Sequence, residues 1–76
     1  MNPGRRNAWP QCYAISVRGH LGEMVVSAFP DLEAEARGND TLLSGVIRDQ
    51  AALHGVLAKI ESLGLELLEV RRLQAD

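Results

Sequence analysis

Cysteine occurs once in this chain, at Cys12, lysine once, at Lys59, and the aromatic set stops at Trp9, Tyr13 and Phe29. Each shortage excludes something. One cysteine cannot close an internal disulfide. With His20 and His54 as the only histidines, no Cys/His spacing of a metal site is present. With so few aromatics the core must be built from aliphatic side chains. An excess of basic charge is also missing: 8 basic residues stand against 10 acidic ones, for a net charge of −2. That argues against a nucleic-acid partner, which selects a basic face, and against a polybasic membrane anchor. No apolar run approaches the ~20 residues of a membrane span. The opening Met1-Asn-Pro-Gly-Arg-Arg has no apolar stretch behind it and does not read as a signal peptide. Cytoplasmic residence is therefore the expectation. No GxGxxG or P-loop appears, the serines lack a nucleophile context, and no two carboxylates pair for general acid–base work. The chain reads as a non-enzyme with no cofactor.

What is present is a chain of 76 residues, 46% hydrophobic, enough for one domain. A domain this small buries only about 60% of its unfolded surface, so its stability margin is thin. Residues 1–11, with Pro3, Gly4 and Pro10, read as a flexible arm, and 74–76 as a tail. Between them lies one α+β domain, 12–73. Tyr13, Ile15 and Val17 alternate with Ala14, Ser16 and Arg18, the mark of a half-buried strand. In 22–29, "GEMVVSAF", Val25 and Val26 favour a strand. Leu21, Met24, Val25 and Ala28 nevertheless recur at helical spacing, and Pro30 closes the segment, so a short helix is expected. Leu32, Ala34 and Ala36 alternate with charges. Gly38-Asn39-Asp40 is a turn, and 41–47 is apolar on both faces, so 32–47 reads as a hairpin.

Asp49 is an N-cap candidate. Leu53, Val56, Leu57, Ile60 and Leu63 follow as one apolar helical stripe, and Gly64 sits where a left-handed C-terminal residue belongs. Residues 65–73 make a last strand whose Leu67-Leu68 pair breaks alternation, marking either a bulge or a strand covered on both faces. The order β-α-β-β-α-β implies a ferredoxin-like fold: a four-stranded antiparallel sheet, order 4-1-3-2, with two helices on one face. If 22–29 is instead a strand, a β-meander followed by α and β is the alternative.

Within the second helix, Gly55 costs about 0.8–1.0 kcal/mol relative to alanine. On a helical wheel it joins Ala51, Ala58 and Ser62 in a small-residue stripe opposite the apolar one. Such a stripe admits a second backbone, and a homodimer through this helix is the expectation. A second route to dimers is the open sheet face, expected to carry Ala14, Ser16, Leu43 and Gly45. Arg18, His20 and Arg48 are expected to converge near the first turns of both helices as an anion site. His54 has no ligand-type residue three or four positions away and reads as a boundary histidine.

The segment "DTLLSGVIRDQAALHGVLAKIESLGLELLEVRRL", 40–73, resembles short bacterial proteins of unknown function, mainly actinobacterial, that share the "DQAALHG" helix start and the "LGL" turn. The earlier "LGEMVVSAFPDLEAEARGND" is similar to their first helix and hairpin, so the resemblance covers most of 12–73. It implies a helix at 22–29 and no activity. At fold level the chain looks like ACT-type modules. "VRGHLGEMV" resembles the phosphate loop of acylphosphatases but has Val25 and Val26 where that family needs an arginine. RNA-binding modules of this fold stack bases on aromatics, and the central strands here offer only Tyr13. The expected function is that of a self-associating, regulatory protein-interaction module. The alternative is a domain that binds a small anionic ligand.

Overall fold

The computed structural model describes residues 9–73. The first eight positions of the expected arm, and the tail 74–76, lie outside the described residues. Along the chain run β1 (Gln11–Arg18), α1 (Glu23–Val26), β2 (Glu33–Arg37), β3 (Asp40–Ile47), α2 (Gln50–Ser62) and β4 (Leu67–Leu73). The strands form one sheet in the order β2-β3-β1-β4, every neighbouring pair antiparallel. Among the described residues no helix is long and apolar enough to cross a membrane.

Alternation in β1 decides which side chains enter the core. Ile15 and Val17 point to one face and are fully buried, and Leu43 and Ile47 of β3 join them. Ile60 of α2 closes over that face, with Leu53, Val56 and Leu57 packed around it. Phe29 and Leu32, from the connection between α1 and β2, fill the remaining side. The short helix at 22–29 is present but makes only one turn. Its Val25 packs on the same core. Trp9 stacks on Tyr13 with ring centroids 5.9 Å apart and packs against the core, so residues 9–11 belong to the domain and not to an arm.

Two expectations about the sheet need correction. Leu43 and Gly45 do not lie on the open face. Residues directly opposite in an antiparallel pair share a face, and Ala14 is opposite Ser44 while Ile15 is opposite Leu43. The open face therefore carries Ala14, Ser16, Leu42 and Ser44. Because 41–47 is mostly apolar on both faces, its own pattern does not set the phase; only the pairing with β1 does. Gly45 faces inward, where an added Cβ would meet the Asp31 carbonyl oxygen at 2.8 Å and the Leu32 side chain at 3.0 Å. The absent side chain is what lets the 31–32 backbone cross so close to β3. Leu63, assigned to the apolar stripe, is 43% exposed because the helix has already ended there.

Both ends of α2 form as the residues dictate. The Asp49 carboxylate accepts a hydrogen bond from the Ala52 N–H at 2.8 Å, satisfying one orphan donor. At the other end Gly64 adopts φ +76°. Its N–H donates to the Glu61 carbonyl at 3.0 Å, and the Leu65 N–H donates to the Ile60 carbonyl at 3.1 Å. This is the Schellman arrangement, completed by Leu65 packing on the core beside Ile60. In β4 the register with β1 shifts between Ser16 and Val17, which leaves Leu68 as the extra residue of a bulge.

Candidate functional site

The expected anion site does not assemble. β1 and β3 run antiparallel, and Arg18 is level with Asp40 while Gln11 is level with Ile47. Arg18, level with Asp40, and Arg48 therefore sit at opposite ends of the sheet, eight residue steps apart along the chain of β3, or roughly 26 Å at about 3.3 Å per step. The expectation treated the two central strands as parallel, and that error brought their ends together. Each basic group also has a local partner. Arg18 Nε lies 2.8 Å from Glu66 Oε1. His20 Nε2–H donates to the Gly38 carbonyl at 2.8 Å, and Arg48 Nε lies 3.7 Å from Asp49 Oδ2.

The loop after β1 has a structural task. The Gly19 N–H donates to Asp40 Oδ1 at 3.3 Å, and the buried Thr41 hydroxyl donates to the Gly19 carbonyl at 2.7 Å. With the His20 bond, these contacts tie the loop to the β2–β3 turn.

A cleft of about 620 Å³ lies at the other end, between the α1–β2 connection, the end of β3 and the first turns of α2. Phe29, Leu32, Ile47 and Val56 line it, with Arg48 and Lys59 as its cations and Asp31 as an anion. The Lys59 ammonium is already engaged: it donates to the Ala28 carbonyl at 2.8 Å and lies 5.5 Å from the Phe29 ring centroid. Arg48 is the cation still turned outward, and Asp49 is beside it. Among the described residues no group of three or more His, Cys, Asp or Glu side chains is placed to hold a metal.

The opposite side of the molecule is different in kind. Ala51, Gly55, Ala58 and Ser62 of α2 are all exposed, and a Cβ added at Gly55 would meet nothing within 4 Å. His54, Ala58 and Glu61 form the flank of α2 that leans toward β4, and between them runs a groove lined by Leu57, Leu65 and Leu67. Beyond the groove stands β4, the last strand of the sheet on that side. Leu67, Leu68, Val70 and Leu73 are each 37–43% exposed there. Sequence reasoning found the small-residue stripe, and its expected order 4-1-3-2 placed the last strand at an edge; what it missed is how much aliphatic surface that strand leaves bare.

This side offers aliphatic surface, small side chains and alternating charges, without a cluster of reactive groups. The fold and this surface define a small α+β module built on one antiparallel sheet. The chain belongs to the family described as domain of unknown function DUF8691, whose model matches residues 12–71. No curated protein and no solved structure matches it significantly.

Proposed function

We propose that this chain is a ferredoxin-like, non-enzymatic module that self-associates as a homodimer and works through protein contacts in a regulatory role in the bacterial cytoplasm. One observation carries the reading: β4 leaves Leu67, Leu68, Val70 and Leu73 partly bare, and a groove bordered by Leu57 and Ala58 of α2 runs to Leu67 of that strand. Contiguous apolar surface of this sort marks interaction sites on soluble domains, and small residues on a helix let a second backbone approach. A twofold pair of identical copies is the simplest closed assembly for such a surface. Sedimentation velocity of the full chain tests the reading. A species of twice the 8.3 kDa chain mass is expected at micromolar concentration, and Gly55→Glu is expected to shift it toward the single chain. A single-chain mass up to millimolar concentration would overturn it.

The second reading, a binding domain for a small anionic ligand of the ACT-like type, now rests on the cleft bearing Arg48 and Lys59, not on Arg18 and His20. A thermal-shift series with nucleotides, amino acids and phosphates addresses it, since a ligand held only by the folded state raises the melting temperature. Stabilisation that disappears in Arg48→Ala would favour this reading.

A further inference from the structure

We propose that the cleft between the α1–β2 connection and α2 takes a singly charged carboxylate on an apolar body, an aryl- or alkyl-carboxylate, with Lys59 as the partner of its head group. This rests on the second reading above and names the ligand class of that site. The case begins with size. At about 620 Å³ the cleft falls inside the roughly 300–1,000 Å³ range of small-molecule sites. A bare inorganic anion would leave most of that space unfilled. The walls are largely aliphatic: Ala28 and Pro30 stand on one side, Ala52 and Val56 on the other. β2 begins opposite Ser44, and Val46 of β3 stands 55% exposed at the edge of the same cleft. Apolar surface in a concave place is what the apolar body of a ligand takes out of water.

Charge selects the head group. The Lys59 ammonium has three N–H donors. One is given to the Ala28 carbonyl at 2.8 Å, and the Phe29 ring centroid lies 5.5 Å from the nitrogen. Both of these partners are neutral, so the positive charge is held in place without being cancelled. A lysine side chain has many rotamers, and ordering it on binding costs free energy. Here the ordering precedes the ligand, which removes part of that cost. The remaining N–H donors suit a carboxylate oxygen, in a short charge-assisted bond.

The rest of the cleft argues against a phosphate group. Phosphate carries more charge and needs several converging donors, which a helix N-terminus commonly supplies. At α2 the chain fills that place itself: the Asp49 carboxylate accepts from the Ala52 N–H at 2.8 Å. Arg48, at the same end, lies 3.7 Å from that carboxylate. Asp31 adds a carboxylate to the cleft lining. These groups repel a dianion more than a monoanion whose charge sits at Lys59 and whose body lies along the aliphatic walls.

Calorimetry and thermal shift on the full chain test the class. Phenylbutyrate and hexanoate are the probes. Phenylbutanol and hexanol keep the body without the charge, and inorganic phosphate and adenosine monophosphate keep the charge without the aliphatic body. Both carboxylates are expected to raise the melting temperature, because they bind the folded chain. The alcohols are expected to bind at least about tenfold more weakly, the loss of one charge-assisted contact. Lys59→Gln is expected to weaken both carboxylates, more than Arg48→Ala does, and to leave the alcohols unchanged. Asp31→Asn is expected to tighten the carboxylates by removing a like charge. A measurement on the unaltered chain stands beside these variants: phenylbutyrate is expected to shift the amide resonances of Val46, Ala52 and Val56. Alcohols that bind as tightly as the carboxylates overturn the proposal, as does a Lys59→Gln chain that binds the carboxylates unchanged. Resonance shifts confined to Leu57, Leu65 and Leu67, in the other groove, overturn it too. Stabilisation by phosphate or adenosine monophosphate but by neither carboxylate overturns the class and leaves the anionic-ligand reading standing. A chain that none of these probes stabilises overturns both.

Discussion

The sheet has two edges, and they are built by different rules. β2 is 5 residues long, reads EAEAR, and gives the helix side only the methyl groups of Ala34 and Ala36. Its charges are settled internally, Glu35 with Arg37. The connection before it crosses close over Gly45 and plugs the core with Leu32. β4 is 7 residues long, reads LLEVRRL, and leaves four aliphatic side chains more than a third exposed. Both strands are edges of the same sheet in a chain with little core to spare. The difference lies in what each edge shows to water: β2 presents short and charged side chains, whereas β4 leaves aliphatic surface bare. A short charged edge discourages pairing, whereas a longer apolar one invites it.

The strongest way to break this comparison is to spoil the closed side. In Gly45→Ala the new methyl group cannot avoid the Asp31 carbonyl without moving backbone. A loss of about 1–3 kcal/mol is expected, by analogy with overpacked cores. Urea unfolding measures it, and the dimer constant extrapolated to the folded chain should stay the same. Next comes the edges themselves. A lysine at the middle of β4, Val70→Lys, is expected to weaken the dimer at least tenfold, or about 1.4 kcal/mol. Ala36→Lys on β2 should leave it unchanged, and equal effects in sedimentation would erase the distinction between the edges. The smallest effect sharpens the role of α2. Gly55 has free space for a Cβ, so Gly55→Ala should stabilise the folded chain by about 0.8–1.0 kcal/mol in thermal unfolding. A gain in stability with no change in dimer mass is the expected outcome, because an alanine keeps the stripe of small side chains intact.

Much of the local structure was legible. Asp49 caps α2, and Gly64 takes the left-handed conformation at its end. Leu67-Leu68 marks either a bulge or a strand covered on both faces, and the pairing with β1 contains the bulge. These signals are readable because each depends on neighbours a few residues away. The failures share the opposite cause. Leu43 and Gly45 went to the wrong face because a strand apolar on both sides carries no phase of its own. Arg18, His20 and Arg48 were brought together by a wrong strand direction, and the actual register separates them by the length of the sheet. The closed approach at Gly45 had no local signal either, since the group it accommodates lies 14 positions earlier at Asp31.

Sequence alone determined the alternation of β1, the caps and apolar stripe of α2 and the hairpin at the Gly38 turn. These follow from backbone preferences and from which side chains leave water, both local properties. Tertiary structure alone decided which face of β3 turned inward, which glycine had to stay bare and which charges met. Those outcomes depend on pairing between distant segments, where one residue of register, or one reversal of direction, moves a side chain to another face or to the other end of the sheet.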